Sequence, residues 1–153
     1  MDGDLSPVPG LGSVASDAAS LSSGLDGLRL SLHVLAATVW VGGQFTVMGL
    51  LPTVRRFGAD APAAVGRALA RLLWPAYFVL VITGFWNVST FDVGQASAAW
   101  RAVLFAKIAV VVVAGVAVFL HQRATTRRGL AVWGAIGGLA SVIALVLGVL
   151  LAG

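Results

Sequence analysis

The stretch Leu28-Arg29-Leu30-Ser31-Leu32-His33-Val34-Leu35-Ala36-Ala37-Thr38-Val39-Trp40-Val41-Gly42-Gly43-Gln44 decides how this chain is read. Crossing a bilayer takes about 20 apolar residues at a rise of about 1.5 Å each, and this run, continued to Leu51, is long enough. A histidine inside such a run is out of place in hydrocarbon unless it faces a partner, a cofactor or water. Three more apolar blocks follow, so that the four blocks use most of the 153 residues. The pattern predicts an all-α membrane protein, a four-transmembrane-helix bundle with spans over residues 28–51, 69–88, 99–120 and 130–152.

Composition supports that class. Hydrophobic residues make up 59% of the chain and charged residues 10%, which is not the make-up of an ordinary soluble domain. Little chain is left for a soluble catalytic domain, so any chemistry must lie within the bundle or at its two surfaces. The net charge of +4 does not indicate a nucleic-acid partner, because the arginines cluster in short loops beside apolar runs, as membrane topology requires. Cysteine is absent, which excludes disulfides, thiolate metal sites and cysteine nucleophiles.

Residues 1–27 are rich in Ser, Gly, Ala, Pro and Asp and read as a disordered polar tail, ahead of a membrane domain over residues 28–153. No basic segment precedes the first apolar run, so a cleaved signal peptide is not expected. The first helix is expected to end near Pro52, followed by a polar loop over residues 53–66 with Arg55, Arg56 and Asp60. Pro62 suits the first turn of the next helical stretch. Residues 89–98 form a short loop and residues 121–129 a basic turn. Arg55, Arg56, Arg67, Arg71, Arg123, Arg127 and Arg128 flank one side of the spans, against Arg29 and Arg101 on the other. The positive-inside rule then predicts a multi-pass plasma (inner) membrane protein with cytoplasmic basic loops and both termini outside.

On the first helix His33, Ala37, Trp40, Gln44 and Val47 share a face, and on the third Lys107, Val111, Ala114, Val118 and His121 do the same. Lys107 lies about 9 Å along the axis from Arg101, and His33 about 6 Å from Arg29, so both fall in the outer half of the bundle. One ligand could touch both. His121 is about 21 Å from Lys107 on a straight helix, which rules out one metal shared by His33 and His121 within a chain. Thr83 and Asn87, one turn apart on the second helix, are candidates to fix the His33 imidazole. Each reading has a plainer competitor: Lys107 can snorkel to the headgroups, and Trp40 and Gln44 can simply pack between helices. Gly134, Gly138, Ser141 and Gly148 give the fourth helix a small-residue face suited to close packing.

The stretch Leu32-His33-Val34-Leu35-Ala36-Ala37-Thr38-Val39-Trp40-Val41-Gly42-Gly43, with Leu51-Pro52 and Arg55-Arg56 after it, resembles the opening helix of the copper resistance D membrane domain. The resemblance continues through Val81-Ile82-Thr83-Gly84-Phe85-Trp86 and Leu104-Phe105-Ala106-Lys107-Ile108-Ala109. It implies copper handling. The layout is also similar to the HemJ-type haem-associated protoporphyrinogen oxidase, where a first-helix histidine and a third-helix lysine form the functional pair; that carries over to His33 and Lys107. Copper resistance D proteins are generally larger, and the soft ligands that copper(I) favours are scarce here, with no Cys and only Met48 inside a span.

Three readings therefore stand side by side. The first is an outward-facing metal or haem site on His33, with copper or haem b as the bound group and Trp40, Gln44, Thr83 and Asn87 around it. The second is a haem-dependent oxidoreductase in which Lys107 holds an anionic porphyrin carboxylate. The third is a non-catalytic small subunit that packs in the bilayer as a homo-oligomer or within a larger membrane complex.

Overall fold

In hydrocarbon each backbone N–H and C=O must be bonded within its own segment, so long apolar blocks fold as helices. The computed structural model describes residues 24–152, which form α1 (Gly24–Val54), α2 (Ala61–Ser89), α3 (Ala98–Arg123) and α4 (Arg127–Ala152). All four are long and apolar enough to cross a membrane. The shorter ones have 26 residues, about 39 Å of axis against a hydrocarbon core of about 30 Å. Among the described residues there is no strand. The chain is an all-α, four-helix membrane protein.

Every helix extends past the expected span. Most of the expected polar tail lies outside the described residues, and from Gly24 the chain is already helical, with Asp26 in the first turn. Pro52 sits inside α1 rather than beyond it. Its missing N–H falls in the final turn, where the chain then tightens into a 3-10 turn at Arg55–Phe57 and leaves through Gly58 at φ 124°, a conformation that favours glycine. Pro62 lies in the first turn of α2. At α3 the Ser97 hydroxyl caps the helix by accepting from the Trp100 N–H at 3.1 Å.

The helices pair as two antiparallel hairpins. In the first, Arg29 meets Thr90, His33 meets Thr83, Trp40 meets Tyr77 and Gly43 takes the Leu73 side chain, so α1 and α2 keep one register along their length. In the second, Lys107 lies over Gly148, Val118 over Gly137 and His121 over Gly134. The glycines on α4 sit where α3 side chains cross, which is the close approach that their spacing predicts. Side-chain bonds dock the hairpins: Trp40 Nε1 and Gln44 Nε2 donate to Ser141 Oγ at 2.9 and 3.0 Å, Trp74 Nε1 to Gln122 Oε1 at 3.0 Å, and the Tyr77 hydroxyl to the Val111 carbonyl at 3.0 Å.

The interior is built largely of small residues, with Trp40, Leu73 and Leu104 as its large ones. Ala36, Ala76, Ala114, Ala117 and Ala140 are buried, and Trp40 is 3% exposed. Bulky residues such as Val34, Leu35, Phe45, Ile82 and Phe105 point outward, as a protein solvated by lipid tails requires. Gly115 makes one of these close approaches possible, because a Cβ there would overlap the Tyr77 ring. Gly115→Val is therefore expected to part α2 from α3 and cost about 1–3 kcal/mol, read as a lower unfolding midpoint in detergent.

Candidate functional site

His33 lies nine residues into α1 and Lys107 nine residues into α3, both counted from the bundle end that carries the 90–97 loop. They share a depth, as the sequence indicates. Both side chains are half-buried. The Lys107 amine crosses to α4: a Cβ at Gly148 would lie 2.9 Å from Nζ. Gly148 is the α4 position opposite Lys107 in the register set by Val118–Gly137 and His121–Gly134, so the side chain reaches across the bundle rather than along it. Snorkelling does not describe it.

The second helix orients the imidazole. Thr83, 3% exposed, donates its only hydroxyl hydrogen back to the Val79 carbonyl at 2.6 Å, as threonines in helices do. Its oxygen is left to accept from His33 Nδ1–H at 2.8 Å. That pair of bonds fixes the tautomer and leaves a lone pair on Nε2. Gly84 keeps the neighbouring α2 position slim, since a Cβ there would already touch His33 Cε1 at 3.6 Å.

The other candidates fall in different places. Asn87 makes no bond to His33, and its Oδ1 is buried without a partner. Trp40 and Gln44 are drawn to Ser141: Gln44 Nε2 donates to Ser141 Oγ at 3.0 Å and to the Trp40 carbonyl at 3.2 Å. Ser141 in turn donates to the Gly137 carbonyl at 2.7 Å. Trp40 is seven residues from His33, about 10 Å along the axis, so this polar node is separate from the imidazole. His121 ties α3 to α4, with Nδ1–H donating to the Leu130 carbonyl at 2.8 Å.

Arg29 is the residue that sequence reasoning did not place at the site. Counted there only as a marker of topology, it is 6% exposed, ion-paired with Asp26 at 3.2 Å and bonded through Nη1 to the Thr90 hydroxyl. Its Nε is buried without a partner. An unpaired donor on Arg29 and an unpaired acceptor on Asn87 thus lie within about a turn of the His33–Thr83 pair, at the same end of the α1–α2 hairpin. The sequence signal for this was Asp26 three residues before Arg29 on one helix face.

The arrangement offers one free imidazole nitrogen, an ammonium at the same depth and a buried guanidinium one turn away. Among the described residues, no group of three His, Cys, Asp or Glu side chains is placed to hold a metal ion. Met48 is fifteen residues from His33, about 22 Å away on the same helix, and cannot join it. Comparisons with protein-family models, curated proteins and solved structures return no match to this chain.

Proposed function

We propose that this protein is a multi-pass plasma-membrane protein of the copper resistance D and HemJ type, with both termini outside, which binds a haem or metal through Nε2 of His33. The observation that carries this reading is the Thr83 bond, which presents Nε2 as a lone pair at the depth of Lys107. Of the two groups, haem b fits the donors better than copper. A haem needs one axial nitrogen from the protein and cations for its propionates, whereas a copper ion needs two or three soft or imidazole ligands of its own. His33 would supply the first, and Lys107 would pair with a carboxylate.

The chain's own residues then have distinct tasks. His33 binds, Thr83 holds the ring plane and tautomer, Lys107 anchors a carboxylate, and the apolar helix faces exclude water. When bound, the haem iron would supply one-electron redox chemistry, which is the basis of the oxidoreductase reading. Lys107 at the depth of His33 is the feature that favours that reading over a purely structural subunit.

Hemin titration of the purified protein tests the assignment. Lys107→Met removes the cation and keeps the length of the side chain, and is expected to weaken hemin binding about tenfold, the effect of losing a charge-assisted bond of about 1.5 kcal/mol. Mesohaem dimethyl ester, which lacks free propionates, should bind wild type and Lys107→Met equally. Equal hemin affinity in the two proteins would remove Lys107 from the site.

A further inference from the structure

At the opposite, basic end of the bundle, α2 and α3 part to leave an open cleft of about 530 Å³. Its walls are Trp74 and Phe78 on α2, and Phe119, Gln122 and Arg123 on α3. The order along the helices matters. Arg123 is the last residue of α3 and Gln122 precedes it, while Phe119 lies one turn further into the membrane-spanning part. On α2 the run from Trp74 to Phe78 likewise leads inward, and the Trp74 and Phe78 rings touch with centroids 6.1 Å apart. The cleft is therefore polar and cationic at the membrane surface and aromatic below it.

Arg123 is set up to receive an anion. Its guanidinium lies over the Phe119 ring, 4.3 Å from the centroid, which holds it against the cleft wall. Among the described residues no carboxylate pairs with it; Arg29 and Asp26 form their ion pair at the far end. Trp74 Nε1 donates to Gln122 Oε1 at 3.0 Å, which bridges the two walls and leaves the Gln122 amide N–H groups available.

From these features we infer that the α2–α3 cleft is a binding site for an anionic phospholipid, whose phosphate sits on Arg123 and Gln122 and whose acyl chain lies along Trp74, Phe78 and Phe119. An oriented amphipath matches an oriented cleft, and a free anion would leave the three rings bare. Basic pockets between helices near a membrane surface recognise acidic headgroups in this way. This site does not depend on what His33 binds.

Trp74 is the reporter. The full-length protein is reconstituted into vesicles that contain either brominated phosphatidylglycerol or brominated phosphatidylcholine, and the Trp74 signal is taken as the fluorescence lost in Trp74→Phe. The expected result is half-quenching at about fivefold lower mole fraction of the anionic lipid, the preference that one arginine near an anionic group provides. Arg123→Gln, at an exposed helix end, should erase the preference and leave quenching by phosphatidylcholine unchanged. Arg123→Lys should restore most of it. Equal quenching by the two lipids in wild type, or a preference that survives Arg123→Gln, overturns the inference. Arg123 makes no contact that holds the fold together, and total tryptophan quenching in its variants, read without Trp74→Phe, gives the same comparison.

Discussion

His33→Ala is expected to weaken hemin binding by more than about 100-fold, beyond the 10–100-fold range typical of losing a partner that only orients a ligand. The variant removes the single nitrogen that the site offers to iron. Thr83→Val belongs in the same experiment, because it keeps the shape of the side chain and deletes the oxygen that accepts from Nδ1–H at 2.8 Å. The ring is then free to rotate and to change tautomer, and affinity should fall about tenfold. The order of the two effects is the informative result. A Thr83→Val protein as impaired as His33→Ala would mean that the hydrogen bond, not the imidazole, holds the site. Normal binding in both would exclude His33 as the ligand. Neither variant should unfold the protein, since both positions lie on one hairpin and the bonds between hairpins are made by Trp40, Gln44, Trp74 and Tyr77.

Trp40→Ala should have the largest effect on stability, about 3–5 kcal/mol, measured by reversible unfolding in mixed micelles. Trp40 stacks on Tyr77 with centroids 4.8 Å apart, meets Trp74 edge-on at 6.2 Å and bonds to Ser141 across the bundle. Packing dominates this sum. Hydrogen bonds between helices in a bilayer average only about 0.6 kcal/mol, so Ser141→Ala should cost about 1 kcal/mol although it ends two such bonds. Phe45→Ala, at a position 55% exposed toward lipid, is the control and should be nearly neutral. If Trp40→Ala is no worse than Phe45→Ala, the core has been placed on the wrong face of α1.

Much of the architecture was legible in the sequence because membrane helices are written in two simple signals, length of apolar run and placement of arginine. The four spans and the shared faces of His33 with Trp40 and of Lys107 with His121 follow from those signals and the helical repeat. Helix ends were less legible. Residues 24–27 read as tail, and 121–123 and 127–129 as part of a turn, yet helices continue past the hydrocarbon as long as their backbone can bond. Partners across the bundle were least legible. Thr83 and Asn87 looked equivalent on α2, and only the register of α1 against α2 separates them, giving His33 to Thr83 and leaving Asn87 Oδ1 unpaired. Ser141 looked like one small residue on a packing stripe, but it is the acceptor on which Trp40 and Gln44 converge.

Arg29 shows the same limit from the other side. A charge near a span end counts toward topology in any sequence reading, and nothing in its own vicinity says that Thr90, sixty-one residues away, will enclose it. Burial makes it part of the environment of His33. It also leaves an Nε–H without a partner, a cost that a bound carboxylate or an ordered water would offset.

The central claim is that the imidazole of His33 holds a haem, and the absorption spectrum of the protein purified from haem-replete cells tests it most directly. The account predicts a Soret band in the wild-type protein that is lost in His33→Ala prepared in parallel. A colourless wild-type preparation, or a Soret band undiminished in His33→Ala, would contradict it.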